Sequence, residues 1–176
     1  MKQRKKGRTA ERVALSGLLL AIMLILGYVE SLIPPFVPVP GIKLGLSNGV
    51  LLFALYLLGV PFTAVLMVLK VLLSALLFGN INSMMFALAG GVLSLAVMIA
   101  LSRMKDLDVI VVSMAGAVFH NVGQVLAALV LMPEVKPENL LIYLAALMGA
   151  GLLTGALTGV LAREVLRRLR RFPGQK

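Results

Sequence analysis

The side chains able to do chemistry in this chain are few, and most stand in apolar company. Lys70 lies in the middle of VLMVLKVLLSALLFG, and His120, Asn121 and Gln124 lie within AGAVFHNVGQVLAALVL. A polar or ionisable group inside such a run is costly, so each is by default a candidate for binding a ligand or an ion. His120 and Gln124 are one helical turn apart and share a face, with Asn121 beside them. Three hydrogen-bonding side chains in five residues exceed what one helix contact needs, which points to a ligand-facing group. The alternative is that Lys70 snorkels or pairs, and that His120 and Asn121 only tie helices together. Counting about 1.5 Å per residue puts Lys70 ~14 Å and His120 ~16 Å along their apolar runs, so both reach one central layer. Ser94 and Thr154 are expected to line that layer.

Two further charges, Glu30 just before the Pro-rich stretch PPFVPVPGIKLGLSN and Lys43 within it, can either meet a solute or pair with each other. Asn82, with Asn80 and Ser83, is either part of the same mouth or a local helix cap. Together these make Glu30, Lys43, Lys70, Asn82, His120, Asn121 and Gln124 the candidate substrate-binding set. No catalytic residue is expected. A phosphate-binding GxxxxGK[ST] loop is absent, so the chain does not hydrolyse ATP by that route. The close acidic pair Asp106-Leu-Asp108 reads as a solvated loop and helix start, because Mg²⁺ sites need more pre-arranged oxygens. A Glu30–His120 acid/base pair is separated by ~9 Å in depth on the same rise per residue. With no Cys, one His and seven acids, no metal site and no cofactor are expected.

These residues must be positioned by apolar elements. The chain has 176 residues, 60% of them hydrophobic and 14% charged, with a net charge of +10. Ordinary domains carry about 45–50% apolar and about 25% charged residues, and a chain this short has too little interior to hide the excess. A soluble enzyme domain and a disordered chain are therefore excluded, and an all-α integral membrane protein remains. Six apolar segments approach the about 20 residues a spanning helix needs: residues 13–33, 46–58, 61–78, 83–101, 109–132 and 140–162. The second is short, broken by Gly59-Val60-Pro61. The expected organisation is a basic N-terminus over 1–12, a six-helix transmembrane domain over 13–162 and a basic tail over 163–176.

The charge is a topology signal. Fourteen of the 17 basic residues fall in the N-terminus, the loop holding Arg103 and Lys105, and the tail. With six spans these segments share one side, so the positive-inside rule puts both termini in the cytoplasm of a multi-pass protein of the cell membrane. Nucleic acid is then not needed to explain the charge; the bilayer is the expected partner, and anionic lipid suits the basic tail. Small residues mark packing faces: Gly151, Gly155 and Gly159 in the last span, and Ala10, Ala14, Gly17 and Ala21 in the first. The last-span stripe reads as internal packing, and the first-span stripe is a candidate for packing on another membrane protein.

The stretches PVPGIKLGLSNGVLLFALYLLG, GNINSMMFALAGGVLSL and AGAVFHNVGQVLAALVL carry a family resemblance. The chain resembles the substrate-binding S components of energy-coupling factor (ECF) vitamin transporters. More narrowly it resembles the Gx transporter family, also labelled heptaprenyl diphosphate synthase component I. The resemblance implies a compact six-helix S-component bundle with a lid between the first two spans over a site open to the outside. It also implies small residues on the first helix packing on a transmembrane coupling subunit, with ATPases in trans. Prenyl diphosphate synthases resembling the all-helical enzymes use DDxxD motifs, which this chain lacks. Under the synthase label it would be a non-catalytic accessory subunit of polyprenyl diphosphate or quinone biosynthesis. The leading expectation is a membrane-embedded component that binds a small vitamin-like, flavin-related or isoprenoid-related solute for uptake. A ligand-free partner of a membrane assembly is a third possibility.

Overall fold

The computed structural model describes residues 2–32, 45–134 and 136–171. Lys43 and the Pro-rich stretch lie outside the described residues. Six helices follow one another, and no strand occurs among the described residues: α1 (Lys2–Leu32), α2 (Asn48–Leu58), α3 (Val60–Phe78), α4 (Ile81–Ser102), α5 (Val109–Leu131) and α6 (Pro137–Arg171). Five of them are long and apolar enough to cross a membrane; α2 is not. At about 1.5 Å per residue its 11 residues cover ~16 Å, roughly half of a hydrocarbon core.

Local chemistry sets the boundaries. Gly59 stands at φ +84, a conformation that costs a side chain, and separates α2 from α3, with Pro61 in the first turn of α3. Asn80 caps α4: its side chain accepts from the Ser83 N–H at 2.8 Å, and Ser83 Oγ accepts from the Asn80 N–H at 2.9 Å. That reciprocal pair starts α4 two residues before the expected span. At the other extreme, α1 and α6 run on through the basic segments. Lys and Arg are good helix formers, and no Pro interrupts them there.

Contacts fix the helix directions. Arg12 lies over the Phe62 ring, and Tyr28 packs edge-on against Phe78, so α1 and α3 run parallel. Asp108 pairs with Arg163, so α6 returns to the end at which α5 begins. The start of α1, the α2–α3 turn, the loop before α5 and the end of α6 therefore share one end of the bundle. α2 sits inside it, with Leu51, Leu52, Ala54, Leu55 and Leu58 buried against Leu19, Met23, Leu66, Met67 and Met98.

Two close crossings build the second half. A Cβ at Gly155 would lie 2.7 Å from Met114 Cα, and one at Gly159 would lie 2.8 Å from Ile110 Cα, so the α6 glycine stripe is the α5–α6 contact. A Cβ at Gly123 would meet the Ala89 carbonyl and Gly90 Cα at 2.8 Å, which brings α4 equally close to α5 on its other side. The outward faces stay apolar: Leu76, Val130 and Leu153 are each more than three-quarters exposed. Such continuous apolar exposure is what lipid covers and water does not tolerate.

A buried polar cluster at the centre of the bundle

Helix α5 carries the centre of the cluster because it is enclosed on both sides, by α4 and α6. His120, Asn121 and Gln124 are all at most 2% exposed. The Gln124 amide nitrogen lies 2.6 Å from His120 Nε2. An amide N–H donated there leaves the ring proton on Nδ1. That nitrogen faces Gly90, where an added Cβ would come within 2.8 Å of it, and makes no hydrogen bond of good geometry. Gly90 is thus the gap in α4 that admits the imidazole.

Lys70 reaches the same region from α3. It is 8% exposed, and its Nζ donates to Asn48 Oδ1 at 3.5 Å. Asn48 is buried in the first turn of α2, and its Nδ2 has no hydrogen-bond partner among the described residues. Glu30, also buried, accepts from the backbone N–H of Gly45. Gly45 has φ +82, and a Cβ there would lie 2.8 Å from Asn48 Nδ2 and 3.0 Å from His120 Cδ2. One glycine therefore touches the carboxylate from α1, the amide from α2 and the imidazole from α5. Its N–H neutralises part of the buried acid, and its missing side chain lets the other two approach.

The expected set divides. Glu30, Lys70, His120 and Gln124 converge through Gly45 and Asn48. Asn121 is adjacent but directed toward α6: its Nδ2 donates to the Leu147 carbonyl at 2.6 Å, while its Oδ1 has no hydrogen-bond partner among the described residues. Asn82 is exposed in the first turn of α4 and stands apart from the cluster. Lys43 lies outside the described residues. Ser94 is buried with its Oγ unsatisfied among the described residues. Thr154 bonds back to the Ala150 carbonyl at 3.0 Å. The small residues of α1 (Ala10, Ala14, Gly17 and Ala21) are all exposed, and a Cβ at Gly17 would have nothing within 4 Å.

Asn48 and Gly45 escape sequence reasoning because a Gly-Leu-Ser-Asn string reads as a turn. The signal available was their place immediately before an apolar helix too short to span. Chemically, the cluster offers a buried carboxylate, a buried ammonium, an imidazole and two amides. That set suits recognition of a polar solute by hydrogen bonds and charge. Among the described residues no three His, Cys, Asp or Glu side chains gather as a metal site would require.

No curated protein and no solved structure matches the chain. Residues 19–165 match the family described as heptaprenyl diphosphate synthase component I, a stretch that holds the latter part of α1, all of α2 to α5, most of α6 and every member of the central cluster. The chain therefore belongs to the heptaprenyl diphosphate synthase component I family.

Proposed function

We propose that this protein is the membrane-embedded solute-binding component of an uptake transporter. Glu30, Asn48, Lys70, His120 and Gln124 contact the solute, with Asn121 at the edge of the site. The observation that carries this reading is the convergence of a buried acid, a buried amide, a buried base and an imidazole from four helices, inside a bundle whose outer faces are apolar. Groups this costly in lipid are retained where they meet a substrate. In this reading the bundle is S-component-like. The short α2 counts as the sixth span, and the start of α1 and the end of α6 face the cytoplasm of the cell membrane, in keeping with the distribution of basic residues. The solute is vitamin-like, flavin-related or isoprenoid-related. ATPases and a coupling subunit act in trans, and the exposed Ala10, Ala14, Gly17 and Ala21 face packs on that subunit. The test is thermal stabilisation of the purified protein by such solutes. Stabilisation that His120→Ala and Gln124→Ala abolish supports the reading, and stabilisation indifferent to both refutes it.

The family description favours a second reading, a non-catalytic accessory subunit of polyprenyl diphosphate or quinone biosynthesis. Membrane prenyl transfer that disappears on deletion of this chain, and returns only with it, would place it there.

A further inference from the structure

A crevice of about 250 Å³ runs between α1 and α6 and is separate in character from the polar cluster. Leu19, Ile22 and Leu26 form one wall, Leu161 and Val165 the other, and Phe53 of α2 lies in the floor. Thr158 is the one lining side chain with a hydroxyl, and that hydroxyl already donates to the Thr154 carbonyl at 2.8 Å. The crevice therefore offers a ligand apolar contact and no hydrogen bond. From Leu19 to Leu26 on α1 and from Thr158 to Val165 on α6, each wall extends over eight residues, about 10 Å of helix, which suits the upper part of one extended hydrocarbon chain.

Its charge is at one end only. Following the wall face of α1 from Leu19 toward the helix start leads to Arg12, seven residues and ~10 Å away. Following the wall of α6 past Val165 leads within one turn to Arg168. The directions of the helices put both arginines at the same end of the bundle. Both are exposed; Arg12 lies over the Phe62 ring, and Arg168 pairs with Glu164 in a solvent-exposed contact of the kind that competes weakly with other anions.

We propose that the crevice seats one acyl chain of an anionic phospholipid, with the headgroup phosphate held between Arg12 and Arg168. The apolar walls exclude a polar solute, and the crevice faces lipid, so a hydrocarbon chain is its natural filling. The two arginines select the headgroup, since guanidinium matches phosphate geometry.

The chain contains no Trp, so one introduced Trp is a unique probe. Ile22→Trp places it on the crevice wall, and Leu153→Trp places it on the open lipid-facing side of α6 as a reference. Each variant is reconstituted in phosphatidylcholine vesicles holding a small fraction of brominated phosphatidylglycerol or brominated phosphatidylcholine, and fluorescence quenching is read. The expected result is a preference of about thirtyfold for phosphatidylglycerol at Ile22→Trp, the order that two interfacial arginines supply, and near parity at Leu153→Trp. Adding Arg12→Gln and Arg168→Gln should return Ile22→Trp to parity. Equal quenching by both lipids at Ile22→Trp overturns the proposal. So does shielding from both, which would mean that the crevice is closed or protein-filled. Relief of quenching by an isoprenyl diphosphate, where unbrominated phosphatidylglycerol gives none, also overturns it. Thermal unfolding checks that each variant is folded, and Val165→Trp on the opposite wall serves if Ile22→Trp is not.

Discussion

Gly45 joins the parts of the candidate site. Its φ of +82 costs a side-chain-bearing residue about 1–2 kcal/mol, and a methyl there meets both Asn48 and His120. Gly45→Ala is expected to lower the unfolding midpoint and to weaken solute binding together, as read by thermal unfolding with and without ligand. Asn121→Ala should separate the two effects. It removes the buried bond to the Leu147 carbonyl, at a cost on the order of 1–3 kcal/mol, and should reduce stability more than binding. At this scale the sequence is informative where burial is expensive. Lys70, His120 and Gln124 stand out because an apolar run makes each conspicuous. Asn48 does not stand out, because an Asn at a helix start has an ordinary local explanation. Asn82 shows the same ambiguity from the other side: its type and place made it a candidate, and it is exposed in the first turn of α4.

Helices place these groups, and their ends and crossings can be tested separately. Asp108 caps α5 by accepting the Ile110 N–H at 2.8 Å and pairs with Arg163 at 3.1 Å. The Ile110 N–H chiefly, against desolvation and with help from Arg163, holds its carboxyl below the ordinary carboxylate value. Asp108→Ala is expected to cost about 0.5–2 kcal/mol, while Asp108→Asn keeps a good cap and loses only the exposed ion pair. Because the folded value is depressed, the contribution of the charge is fully present above the unfolded value of about 3.9 and is lost as the pH falls through the folded one. The difference between wild type and Asp108→Asn in thermal unfolding should therefore close as the pH drops below about 4. At the α5–α6 crossing, Gly155→Leu forces a side chain onto the α5 backbone and should destabilise by at least the about 1–3 kcal/mol of ordinary overpacking. Long elements were legible from apolar length alone, and the α6 glycine stripe announced its crossing. The half-length of α2 was visible too, but not its consequence. A helix too short to span starts deep in the bundle, and its first turn there carries a member of the polar cluster.

On the scale of the whole molecule, the apolar exterior, the single end that collects basic residues and the polar centre make one arrangement: a lipid-embedded bundle with a buried polar cluster inside and a bare face on α1. Nothing lies near a Cβ at Gly17, so Gly17→Leu should leave folded stability within about 0.5 kcal/mol of wild type or slightly raise it. If the α1 face docks a coupling subunit, the same variant should abolish uptake in cells. The hydrophobic balance and the charge distribution made the membrane setting legible from composition, whereas the site depends on which helices meet, which composition does not encode. The most direct test of the central claim is thermal unfolding of the purified protein with vitamin-like, flavin-related and isoprenoid-related solutes, for wild type and for His120→Ala with Gln124→Ala. One class is expected to stabilise the wild type, by about 2.7 kcal/mol at a hundredfold excess over its Kd, and to leave the double variant unshifted. Equal stabilisation of both proteins, or no shift of the wild type with any of the three classes, would contradict it.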